Sequence, residues 1–272
     1  MRGTVLALFI LSCCGPGAAQ KVRFSPAEKS QVLGRVESIP RSNQERAELL
    51  RQWFADAGCN GKSLEEQPVS GSEAPNVICH LKGDDAGIIV AGAHYDGASS
   101  AQRPMDNWSG AALLPSLYQC LRAHKRRHTI IFVAFADRGN ELTGAETFAR
   151  QLRPAETRRL HAMVNIDALG LSPTKVWMAH SDKDLVHSLV IMMYAMKLPA
   201  SQINIAGAGN SDSEPFAALK VPQITIHSLT QVNLAEGTAS KFRPGAYYDS
   251  YRLLCGYLAY LDKTVKPRRR AE

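Results

Sequence analysis

An imidazole and three carboxylates occupy positions where open α/β sheets place their chemistry. His94 follows the apolar run Ile88–Ala93, and Asp96 stands two residues later. Asp106 opens the block Asp106-Asn107-Trp108-Ser109-Gly110, just before an expected helix. Asp167 ends a second apolar run, Ala162–Ile166. Ligands of this kind at the carboxyl ends of adjacent strands suit a zinc ion. Asp96 lies on the same side of its strand as His94 and is expected to hold the imidazole in its metal-binding tautomer. Taken singly, each residue has a plainer reading. A histidine at a strand end commonly makes structural hydrogen bonds, and an aspartate ahead of Asn-Trp-Ser-Gly commonly caps a helix.

The elements that would position these groups follow from periodicity. Strands are predicted at 76–81, 88–93, 129–136, 162–166, 175–179 and 223–227, several of them continuous apolar runs. Helices are predicted at 25–39, 43–57, 109–121, 143–152, 183–196, 214–219 and 247–265. Apolar strands alternating with helices predict a single α/β domain, with a mixed, mostly parallel central sheet covered on both faces. Neither repeats nor a long linker divide the chain. The expected layout is a leader at 1–19, the domain at 20–265 and a basic tail at 266–272.

The 272 residues are 45% apolar and carry a formal net charge of +7. Lys263, Lys266 and Arg268–Arg270 supply most of that excess, so the body is near neutral and no nucleic-acid partner is expected. Arg2, the apolar stretch Val5–Leu11 and the small residues Gly15, Gly17, Ala18 and Ala19 form a short secretory pattern, with an expected cut after Ala19. Ile10-Leu11-Ser12 ahead of Cys13 admits a lipoprotein reading, and a membrane partner is expected only if Cys13 is lipidated. An exported location, periplasmic or extracellular, follows from either reading. In such a compartment Cys59 and Cys79 are the natural disulfide pair, whereas Cys120 and Cys255 read as buried thiols on helices.

With these residues in view, the sequence resembles the co-catalytic two-zinc aminopeptidases, the group of bacterial secreted aminopeptidases and the peptidase domain of glutamate carboxypeptidase II. The resemblance runs through the Gln44–Ala47 helix, Pro75–Ile78, Gly92–Asp96, Asp106–Ala111, Phe132–Phe135, Asn165–Asp167 and Ser211–Phe216. It implies the zinc-exopeptidase fold, zinc as cofactor, and peptide N-termini or a peptide-like ligand as partner. In that family one zinc is held by a histidine, a bridging aspartate and a second aspartate. Matched here, these are His94, Asp106 and Asp167.

The second half of the family site departs from this pattern. The family carries a Glu-Glu pair, one member the general base and the other a ligand of the second zinc. Here Arg138 and Gly139 occupy those positions, and a guanidinium can neither ligate a metal nor take a proton. The late histidine ligand is also missing, because residues 229–246 contain no histidine. The resemblance therefore implies one zinc site, no intact catalytic base, and little or no aminopeptidase turnover. Two further readings stand beside it. An active zinc aminopeptidase would draw substitutes from Asp137, Glu141 or His227. A glutaminyl-cyclase-like acyltransferase ranks lowest, since those enzymes keep the half of the site that is altered here.

Overall fold

The computed structural model describes residues 9–15, 17–84, 87–96, 104–137, 142–204, 210–230 and 242–266, with side chains described from Val22 onward except at 104–107. Strands are β1 (Phe9–Gly15), β2 (Gly17–Phe24), β3 (Leu64–Gln67), β4 (Asn76–Leu81), β5 (Ile88–His94), β6 (Thr129–Phe135), β7 (Leu160–Ile166), β8 (Thr174–Trp177), β9 (Ala200–Ile203) and β10 (Gln223–His227). Helices are α1 (Lys29–Glu37), α2 (Asn43–Asp56), α3 (Pro104–Arg122), α4 (Thr143–Gln151), α5 (Pro154–Arg159), α6 (Lys183–Met196), α7 (Glu214–Ala218) and α8 (Pro244–Thr264). Eight strands form one mixed sheet in the order β3-β4-β6-β5-β7-β10-β8-β9, and β1 pairs with β2 in a separate ribbon. The central strands β6, β5, β7 and β10 are mutually parallel.

Every residue of β5 and of β7 is buried, as continuous apolar runs between two helical layers require. Alternation splits their side chains between two cores. Ile89, Ala91 and Ala93 join Ala162, Val164 and Ile166 on one face, toward the helices that include α3 and α8. Val90, Val133, Phe135 and Met163 lie on the other face, packed with Phe148 of α4 and Phe216 of α7. The second face also carries His94 and Asp167, by the same alternation.

Several predicted boundaries move. The first helix begins at Lys29 rather than Ser25, and α3 begins at Pro104, so Asp106 lies in its first turn rather than before it. The 175–179 strand ends at Trp177, and a 3-10 turn follows. The predicted cut after Ala19 falls within β2, whose backbone pairs with β1. Residues 1–8 and the tail from 267 lie outside the described residues.

The structure joins Cys59 to Cys79 and leaves Cys120 and Cys255 as buried thiols. The bridge ties the turn after α2 to β4. Its 20-residue separation predicts a loss of about 3 kcal/mol when both cysteines become alanine. Urea unfolding of that variant, compared with the oxidised parent, checks the value.

Two glycines let helices approach the strand ends that carry the site. A Cβ on Gly110 would lie 2.4 Å from the Ile166 carbonyl oxygen, so only glycine lets α3 sit against the end of β7. A Cβ on Gly144 would lie 2.0 Å from the Ala136 carbonyl oxygen, where α4 meets the end of β6. Gly110→Ala should lower stability by about 1–3 kcal/mol through forced backbone displacement. Gly34→Ala, on an exposed helix face with nothing within 4 Å, should instead raise it slightly. Denaturant midpoints of the two variants test the contrast.

Candidate metal centre

The strand register brings four polar residues into one row. Gly92 pairs with Asn165 in the parallel β5–β7 ladder, so His94 and Asp167 come level at the strand ends. Ile226 pairs with Ile166, which sets His227 beside Asp167, and His227 pairs directly with Lys175 across the antiparallel β10–β8 ladder. Paired residues point to the same face. The row His94–Asp167–His227–Lys175 therefore crosses four adjacent strands on the face covered by α4 and α7.

His94 is 2% exposed, and its Nδ1 lies 2.9 Å from Oδ2 of the fully buried Asp212. A carboxylate can only accept, so Nδ1 donates and Nε2 keeps the lone pair. That nitrogen faces Oδ1 of Asp167 at 3.8 Å, too far for a hydrogen bond. Zinc bonds to nitrogen and oxygen of about 2.1 Å each would let one ion join these two atoms. The described half of the predicted site thus fits zinc. Asp106 supplies backbone in the first turn of α3, and its side chain lies outside the described residues. Ser109 fixes that turn: its Oγ accepts from the Leu169 amide at 2.8 Å, and its carbonyl accepts from the Tyr247 hydroxyl at 2.8 Å.

The orienting partner of His94 corrects the sequence expectation. Asp96 was expected at Nδ1, but that bond goes to Asp212. Asp96 is buried, and its charge acts on Arg46, partly offsetting the downward push of burial on that guanidinium. Arg46 donates to the Tyr95 carbonyl at 2.8 Å and so braces the loop that follows His94. Asp212 itself is seated by a buried polar hub. Asn165 Nδ2 donates to Ser211 Oγ at 3.0 Å, and Ser211 Oγ lies 2.7 Å from Thr225 Oγ1 and 2.9 Å from Ser213 Oγ. Asn165 and Thr225 stand two residues below Asp167 and His227, so strand alternation puts the hub directly under the row.

The substitute ligands fare differently. Glu141, Arg138 and Gly139 lie outside the described residues. Asp137, two residues past the end of β6, lies in the left-handed region (φ 55°), and its charge reaches the Tyr95 hydroxyl, which donates to the Pro75 carbonyl. His227 has the wrong tautomer for ligation. Its Nδ1 accepts from the Leu229 amide at 3.0 Å, so the neutral ring carries its proton on Nε2. Among the described residues, no group of three His, Cys, Asp or Glu side chains gathers around one point.

Burial pushes the His227 imidazole down to about 4, against an upward pull from Asp167 and with a further downward push from Lys175. The unfolded chain protonates this ring near the ordinary histidine value of 6.5. Between these values the unfolded state holds more protons, so stability present above pH 6.5 is lost as pH falls toward 4. A cation bound at Asp167 would push in the same direction. His227→Gln should remove about 2–4 kcal/mol of this acid sensitivity, read from denaturant unfolding across that pH range.

A family model, Peptidase family M28, matches residues 76–251. The chain belongs to peptidase family M28. The matched span contains the whole row and Asp212. Leupeptin-inactivating enzyme 1 of Streptomyces exfoliatus is 26% identical over 223 residues, which cover 78% of this chain and 50% of that protein. The chain thus spans about half the length of that relative. The LapA aminopeptidase of Legionella pneumophila is similar in fold, with a TM-score of 0.72 and 16% identity, covering 87% of this chain and 71% of LapA. The glutaminyl cyclase of Porphyromonas gingivalis is similar too, with a TM-score of 0.66 and 17% identity, covering 85% and 95% of the two chains. M28 membership implies zinc, and His94 and Asp167 are the two expected ligands whose side chains are described.

Proposed function

We propose that this M28 chain is an exported, single-zinc member of the aminopeptidase group that binds peptide N-termini and turns them over little or not at all. The observation that carries this reading is the His94–Asp167 geometry. Asp212 fixes the imidazole with its lone pair toward Asp167, as a zinc ligand requires. Asp106 completes the set by its place in the family motif. Bound zinc would act as a Lewis acid toward a peptide amine or carbonyl.

The sequence supports the impaired half of the reading. Arg138 and Gly139 replace the Glu-Glu pair, and residues 229–246 hold no histidine. The His227 tautomer argues against that residue as the replacement ligand. A missing general base alone lowers turnover by roughly 10²–10⁴-fold. Export is supported by the N-terminal pattern and by the Cys59–Cys79 bridge, which suits an oxidising compartment.

The test is zinc per chain, by elemental analysis after dialysis against trace zinc, together with hydrolysis of aminoacyl substrates. One zinc and no turnover agree with the proposal. Two zincs with chelator-sensitive hydrolysis would establish an active enzyme with substitute ligands. No zinc at all would remove the metal from the reading.

A further inference from the structure

The row of polar residues does not end at the metal pair. Beyond Asp167 stand His227 and Lys175, and neither has a part in the M28 zinc site as matched here. His227 is 1% exposed, and among the described residues its Nε2–H has no hydrogen-bond partner. A buried donor of this kind is normally satisfied, so an orphan invites an acceptor from outside the protein. Lys175 is half-buried, and its ammonium donates to Ser172 Oγ and to the Pro173 carbonyl at 3.3 Å. These are neutral acceptors that leave its charge unbalanced. Arg243 adds a second cation. Its amide donates to the Gly170 carbonyl at 2.7 Å, which fixes the start of α8 over the same end of the sheet. Its charge is felt by Lys175 and adds to the effect of burial in lowering that pKa. Two cations and one neutral donor thus stand on the side of Asp167 away from His94.

From this placement we infer that Lys175 and Arg243, with Nε2–H of His227, form a subsite for the free carboxylate of a short peptide whose amino end lies at His94 and Asp167. The inference deepens the peptide-binding proposal and rests on it. Length supports a short ligand. Lys175 stands two strands from Asp167, about 10 Å at the usual strand spacing, and a dipeptide or tripeptide spans about 7–10 Å when extended. A carboxylate there would satisfy the His227 donor and balance Lys175. A C-terminal amide could accept the His227 proton but would leave both cations unpaired.

The probe is an Ala-Ala dipeptide with its peptide bond reduced to a methylene-amine, so that it cannot be hydrolysed. Its C-terminal amide is the comparison, and both are titrated calorimetrically into the full zinc-loaded chain. The acid should bind roughly tenfold or more tightly than the amide. Lys175→Met should erase that ratio while leaving amide affinity unchanged, and Lys175→Arg should keep it. Arg243→Met, at an exposed position, should lower the ratio without disturbing the fold. Equal binding of acid and amide to the parent protein would overturn the carboxylate subsite and leave the peptide reading standing. A Lys175→Met variant that weakens both probes alike would show that Lys175 is structural, and would also overturn the subsite. Failure of both probes to bind would overturn both proposals together.

Discussion

Asp167→Ala is expected to leave the purified protein without zinc. It removes one of the two described side chains that face each other at 3.8 Å, and so one of the three expected ligands of the ion. Asp212→Asn should act on the same ion at one remove. The asparagine can still reach Nδ1, but it cannot favour the tautomer as a carboxylate does, and loss of such an outer partner lowers metal affinity roughly 10–100-fold. Asp96→Asn should have a smaller effect, because its charge acts on Arg46. Competition with a chromophoric chelator measures all three. The predicted order of loss is Asp167→Ala, then Asp212→Asn, then Asp96→Asn. An Asp96 variant as impaired as the Asp212 variant would return the orienting role to the His-x-Asp motif.

The second large effect is a gain. Arg138→Glu with Gly139→Glu restores the carboxylate pair, and a histidine scanned through positions 231–241 restores the late ligand type. On the proposed single-zinc reading, bound zinc should rise from one to two per chain in the best variant. Aminopeptidase turnover should then appear, with a gain of roughly 10²–10⁴-fold expected from the base alone. Unchanged zinc content across the whole scan would refute the view that these substitutions cost the chain its second zinc.

The strands that carry the site were legible because buried parallel strands read as unbroken apolar runs. The spans 76–81 and 223–227 match β4 and β10 at both ends, and 183–196 matches α6. The edge strands β3 and β9 were not legible. Leu64–Gln67 and Ala200–Ile203 are short, polar and largely exposed, and their pairing comes from a neighbour rather than from their own pattern. The ribbon β1–β2 was missed because the same residues carry a leader's composition.

Within the site, His94 and Asp167 could be found from strand ends. The role of Asp212 could not, since it sits 118 residues from His94 and meets it only through tertiary packing. A signal was present in Ser211-Asp212-Ser213, a polar turn ahead of Glu214-Pro215, but nothing local said what that turn faced. The tautomers of His94 and His227 were equally beyond reach, because each is set by a hydrogen bond that only the fold creates.

The register row has a consequence for how such a protein changes over generations. His94 and Asp167 sit on strands whose side chains alternate between two cores, so a slip that moved either residue would also turn apolar neighbours outward. Selection for a stable molecule therefore protects this half of the site even if catalysis is no longer required. Residues 138–139 and 229–246 follow β6 and β10 in the sequence and belong to none of the strands that carry His94 and Asp167. A lineage relieved of peptidase duty would lose the second zinc first and keep the first longest. On the proposed single-zinc reading, the sequence agrees with that order: it keeps His94, Asp106 and Asp167 but has Arg138, Gly139 and no histidine in 229–246.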